Sequence, residues 1–366
     1  MNRVLKLLVF IFLLFVCSCR QEKTKGPDYS VMPVVDTGVE FRLYERMGIK
    51  KENLCELTKR GKEDADYNDD FNQPSYTKLY FKGKPLPDNA GKWVLIKDDI
   101  TGRIWETKTD DGSIHDRDTL FTFKEAQDHV KKLNDMKYGG YSSWRMPNLK
   151  ELASIVHFGK TMPSVNTLYF PYQYASFYWS ATECLDDNQY AWGIIFQEGQ
   201  SLSHYKRVRY FFRAVCLDKR AVDHVEKFSD QSVRFHDNDD GTITDLATGL
   251  MWQKNYASVE NVKKEVSTFK WLEARVFCEE SNFAGFKDWR LPNINELMSI
   301  VDYTRYDPAI YDVFGNDMKR RRFFSSTPEG RTQCPYNVYI PDGAIVISGT
   351  KASIRLVRNH DLKKGI

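Results

Sequence analysis

Thirteen residues are written twice in this chain, WRMPNLKELASIV from Trp144 to Val156 and WRLPNINELMSIV from Trp289 to Val301. The phrase dictates its own local structure. Pro147 and Pro292 hold the residue before them extended. Asn148 and Asn293 follow where an N-cap belongs, and Glu151 and Glu296 stand three residues later, the spacing of a capping box. Leu152, Ile155 and Val156 then fall on one helical face, as do Leu297, Ile300 and Val301. The spacing predicts a strand end, a sharp turn and the start of an amphipathic helix. The apolar side is kept between copies, whereas Lys150 answers Asn295, Ala153 answers Met298 and His157 answers Asp302.

Other landmarks repeat in the same order. Thr101–Glu106 lines up with Thr248–Gln253, Phe177–Thr182 with Arg322–Thr327, and Phe212–Val215 with Ile354–Val357, at offsets of 147, 145 and 142. Offsets this long, differing only by loop-sized insertions, mean two whole domains and not solenoid units. The expected divisions are 91–219 and 232–360, joined by a charged linker at 220–231 and preceded by a tether and N-terminal extension at 19–90. Each copy reads as a hairpin, two helices and then several strands. The hairpins are Trp93–Ile96 with Gly102–Trp105, and Thr242–Thr244 with Leu250–Trp252. The first helices are Phe123–Asn134 and Phe269–Ser281. In the extension, Val39–Tyr44 and Thr77–Phe81 read as strands packing on the first domain. The fold class is α+β, with an aromatic content of 14% favouring strands.

The N-terminus bears on location. Arg3 and Lys6 precede an apolar run from Leu7 to Val16, too short to span a bilayer and laid out like a secretory signal. Val16-Cys17-Ser18-Cys19 then resembles a bacterial lipobox. That resemblance implies a signal peptide at 1–18 and a diacylglycerol on Cys19, an anchor acting through apolar burial. The expected place is the bacterial cell envelope, at the outer membrane or cell surface rather than the inner membrane. Without the two leader cations, the formal net charge of +3 falls close to neutral, so nothing global points to nucleic acid. Export permits disulfides. Cys184 with Cys216, and Cys278 with Cys334, are the simplest pairs, one within each copy, leaving Cys55 single.

The set TG(R/L)(I/M)W, WR(M/L)PNxxEL, (W/F)S(A/S)T and (F/I)R(A/L)V resembles the Lcl C-terminal domain family, over about 255 residues in two tandem copies. The resemblance implies C-type-lectin-like domains, each with about two helices packed on short antiparallel strands. It also implies surface lipoproteins and the binding of glycans or glycosaminoglycans. Many family members carry a Cys where this chain has Ala214 and Leu356, and Cys278 is answered by Val130, so a family disulfide does not transfer. The WRLP segment also resembles formylglycine-generating-enzyme-like domains.

The candidate ligand contacts are two basic clusters, Lys206, Arg207 and Arg209, and Lys319, Arg320, Arg321 and Arg322. Clustered Arg suits sulfate, carboxylate or phosphate, and Tyr205, Tyr210 and Phe323 are placed to stack on sugar rings. Arg145 and Arg290 read as partners of the helix acids. Ser180 and Ser325 lack a nucleophile-elbow context, and no His recurs at a matching place. His236–Gly241 fails the calcium-loop pattern, having Ala247 where the bidentate Glu belongs. No zinc spacing or nucleotide motif occurs, so neither metal nor cofactor is expected. The reading is a binding protein, not an enzyme, whose partners are the membrane and a glycan or protein surface ligand met by loops and strands after Tyr169 and Tyr306. The alternatives are an envelope enzyme or accessory protein and a purely structural lipoprotein.

Overall fold

A computed structural model describes residues 34, 36, 37, 73–256, 268–315, 321–332 and 334–360. The signal segment, Cys19, Cys55, Val39–Tyr44, Lys319 and Arg320 lie outside the described residues.

Each copy contains two antiparallel sheets. In the first copy β1 (Tyr76–Leu79), β2 (Leu95–Asp98), β3 (Arg103–Glu106) and β7 (Val215–Leu217) make one sheet in the order β1-β2-β3-β7. Strands β4 (Phe177–Glu183), β5 (Tyr190–Ile195) and β6 (Gln200–Tyr205) make the other. Helices α1 (Phe123–Asp135) and α2 (Leu149–Ala153) fall between β3 and β4. The second copy repeats this plan. Strands β8 (Phe235–Asp237), β9 (Thr242–Asp245), β10 (Leu250–Gln253) and β14 (Val357–Asn359) form the four-stranded sheet, and β11 (Arg322–Pro328), β12 (Pro335–Tyr339) and β13 (Ala344–Ile347) the three-stranded one. Its helices are α5 (Trp271–Glu279) and α6 (Ile294–Ser299). The architecture is α+β, and β1 brings part of the N-terminal extension into the first domain.

The expected linker is instead structured. Helices α3 (Lys219–Phe228) and α4 (Gln231–Arg234) occupy it. Asp218 caps α3 by accepting the Ala221 N–H, and Ala221, Val225 and Phe228 are buried beside Leu217 and Ala247. The charges read as linker are the outer face of an amphipathic helix.

The repeated phrase behaves as its spacing predicts. Asn148 and Asn293 accept the N–H of Glu151 and Glu296, and both reciprocal bonds are present. Arg145 chelates Glu151 through two bonds of 2.6 Å, and Arg290 chelates Glu296 at 2.6 and 2.7 Å. In both copies the sheet then locks the helix start, because Thr182 and Thr327 accept the N–H of Leu149 and Ile294.

The copies share a core. One cluster runs through Leu152, Ile155, Val156 and Phe158 of the first and Leu297, Ile300, Val301 and Tyr336 of the second. Each copy also keeps a separate core on the far side of its four-stranded sheet, around Ile104 and Trp179 in the first and Met251 and Phe324 in the second.

The expected disulfides do not form, and all four cysteines are free thiols. Cys184 packs into the shared core while Cys216 packs into the first copy's separate core, on opposite faces of the same domain. Cys278 faces inward from α5 into the second copy's separate core, whereas Cys334 is half-buried beside Gly349.

Candidate functional site

Strand β3 alternates across its sheet. Trp105 faces the shared core, while Ile104 faces the first copy's own core. The same alternation sends Glu106 to the side of Ile104, under the inner face of α1. There Ala126 and His129, three residues apart, share the helix face that meets the sheet. The loop after β3 returns His115 to the same point, its ring stacked on Tyr138 at 4.0 Å.

The result is a buried carboxylate facing four nitrogens. Glu106 Oε1 lies 2.8 Å from His115 Nδ1 and 3.3 Å from His129 Nε2. Oε2 takes the Ala214 N–H at 3.0 Å and lies 3.1 Å from Lys108 Nζ. Burial alone would raise this carboxyl, but Lys108, His115 and His129 outweigh it and hold it well below the usual range. Burial pulls the Lys108 amine down, partly offset by Glu106. Arg213, fully buried, donates to the Glu106 carbonyl at 2.5 Å and to Gln173 at 2.9 Å. Its counterpart Arg355 donates likewise to the Gln253 carbonyl at 2.6 Å. The Arg of the closing motif therefore ties the end of the hairpin in both copies.

Above the cluster opens a cleft of about 310 Å³, lined by Lys92, Trp93, Thr107–Asp111, Pro171 and Tyr172. Lys78 sits over the Trp93 ring at 4.0 Å, and Arg117 lies 5.1 Å from the Tyr172 ring while pairing with Asp110 at 3.2 Å. Asp111 accepts from Thr109 and Ser113, which hold its carboxyl below the ordinary range. Cations and acids are thus interleaved around two aromatic rings.

The basic clusters are placed differently. Lys206 pairs with Glu183 at 2.6 Å, and Arg209 pairs with Glu125 in a short contact. Arg207 lies 5.8 Å from the Tyr205 ring. Arg321 stacks on Tyr256 at 4.2 Å, and Arg322 donates to Ser348 and Thr350. Phe323 is not available to a ligand, because the alternation of β11 turns it into the shared core. The Ser180 and Ser325 hydroxyls donate to the Trp192 and Tyr336 carbonyls, each at 2.8 Å, so the repeated serines fasten neighbouring strands.

Of the cleft, only Pro171 and Tyr172 fall after Tyr169, where recognition was expected. Glu106, His115 and His129 follow no recognised spacing. The available signal was the mismatch between copies, Glu106 against Gln253, within an otherwise matched hairpin.

Two pseudo-equivalent α+β domains, sharing one core and carrying a polar cleft on the first, define the class. The profile of the Lcl C-terminal domain family matches residues 94–216 and 241–358, and the chain belongs to that family. Comparison with curated proteins and with solved structures gives no match.

Proposed function

We propose that this is an exported, lipid-anchored, non-enzymatic binding protein of the bacterial cell envelope, with C-type-lectin-like domains, the first of which holds a saccharide in the cleft between Trp93 and Tyr172. The lining of that cleft carries the proposal. A sugar ring offers an apolar C–H face and a rim of hydroxyls that both donate and accept. Trp93 and Tyr172 supply rings for the face, and Lys92, Thr109, Asp110 and Asp111 supply donors and acceptors for the rim. Interleaved charge suits an uncharged glycan better than a polyanion, and the acid partners of Lys206 and Arg209 point the same way. The lipobox-like segment ending in Cys19 supports the anchor.

A glycan array probed with the full chain at two salt concentrations tests this. Binding to uncharged glycans that persists at high salt is the expected result. Binding confined to sulfated glycans and lost with salt moves recognition to the basic loops, and silence across the array removes the saccharide reading.

A further inference from the structure

Glu106, His115 and His129 make up a set that the fold does not require. Phe121 and Phe269 both bridge back to the closing segment, to Tyr210 and Ala352, which aligns α1 with α5 and sets His129 against Phe277. The second copy builds the same hairpin and helix with Gln253 and Phe277, and Phe277 packs against that copy's core.

From this cluster we infer a binding site for one divalent transition-metal ion of the zinc class, with Glu106 Oε1, His115 Nδ1 and His129 Nε2 as its ligands. The three ligand atoms lie within 4.8 Å of one another. Tetrahedral zinc, with bonds of about 2.0–2.1 Å to N and O, sets its ligands about 3.3 Å apart. The oxygen-to-nitrogen distances of 2.8 and 3.3 Å already approach that edge.

The surroundings hold the ligands in place. Tyr138 stacks on His115, and Phe121 and Phe212 meet the His129 ring edge-on at 5.1 and 5.8 Å. Lys108 and the Ala214 N–H occupy Oε2, which turns Oε1 towards the imidazoles. Such outer partners orient metal ligands and tune their affinity. The Lys108 charge opposes every cation alike, but the single oxygen in the set disfavours calcium or magnesium, which need several oxygen ligands. The set selects an ion that bonds well to imidazole. His115, on a surface loop and 9% exposed, gives the route of access.

The test uses the full chain, tag-free and stripped of metal, titrated with Zn²⁺ against a chromophoric chelator and separately with Co²⁺. One equivalent should bind, and the cobalt spectrum should show ligand-field bands without sulfur-to-metal charge transfer. His129→Phe and Glu106→Gln, which copy the second domain, should each weaken Zn²⁺ binding about tenfold or more. Failure of the native chain to take up Zn²⁺, or undiminished binding by a folded His129→Phe variant, overturns the site. A thiolate charge-transfer band overturns it too, by placing the ion on cysteine. The cobalt spectrum of the unaltered chain decides between imidazole and thiolate without needing any variant to fold.

Discussion

Ser201 Oγ accepts the backbone N–H of Ile345 at 2.7 Å, and these two residues hold the same position in the two copies. Equivalent elements meet all around them, α2 against α6 and β6 beside β13. Gly199 and Gly343, both at positive φ, leave no room for a Cβ against Val156 and Val301, again matched residues. Like surface packs on like surface, as in an isologous dimer, but within one chain. This is why the phrase occurs twice: the helices it starts face each other across a pseudo-twofold axis.

A shared core predicts shared unfolding. Calorimetry of the native chain should show one transition. Tyr336 crosses the contact, its ring 4.8 Å from Phe158 and its hydroxyl donating to the Glu198 carbonyl. Tyr336→Ala should cost about 3–5 kcal/mol and split the transition in two. Two resolved transitions in the native chain contradict the shared core.

The two helix acids should differ in weight. Glu151 is fully buried and faces both Arg145 and Arg103, whereas the second copy has Leu250 in place of Arg103. Glu151→Gln leaves two guanidinium groups facing a neutral amide and should cost about 3–5 kcal/mol, more than Glu296→Gln. Denaturant melts of the two variants measure the difference.

The same pair sets an acid limit. Burial raises the Glu151 carboxyl, but Arg145 and Arg103 outweigh it, leaving it below its ordinary value. A depressed carboxyl contributes stability that is complete above its unfolded pKa of about 4.3 and fades as pH falls through the lower folded value. The Glu151→Gln variant should therefore lose less stability than the native chain on acidification below about pH 4.3. Parallel acid limbs for the two proteins would falsify this.

How much of this was legible in the sequence depends on whether chemistry was local. Asn148 with Glu151, and Arg145 beside them, lie within six residues, so spacing alone gave the cap and the ion pair. The cluster around Glu106 draws on residues 9 and 23 positions away and on a backbone N–H 108 positions away, which no local pattern encodes. The charged run at Lys219–Phe228 conceals its helix because the apolar residues, Ala221, Val225 and Phe228, are few among its charges. Order along the chain says nothing about which core a thiol packs into, so the cysteine pairing was not legible.

The cleft makes a specific demand on its aromatics. Tyr172 is 47% exposed, so Tyr172→Ala should leave thermal stability within about 0.5 kcal/mol while weakening saccharide binding. Arg207→Ala, on the other strand connection, should leave binding unchanged. Calorimetric titration with the best array ligand measures both, and the reverse pattern moves the site to the basic loop.

Thiol chemistry separates the cysteines by burial. Burial pushes the Cys184 thiol up to about 11 and raises Cys216 and Cys278 further, so all three are protonated and shielded at neutral pH. Cys334 is half-buried on a loop. In a Cys55→Ser background under native conditions, a maleimide reagent should modify Cys334 first, with Cys184, Cys216 and Cys278 reacting only as the chain unfolds. Peptide mapping by mass spectrometry without reductant should recover all four unlinked. A Cys184–Cys216 or Cys278–Cys334 peptide in that digest would contradict the packing, in which Cys184 and Cys216 sit in different cores and Cys278 points into the second copy's own core.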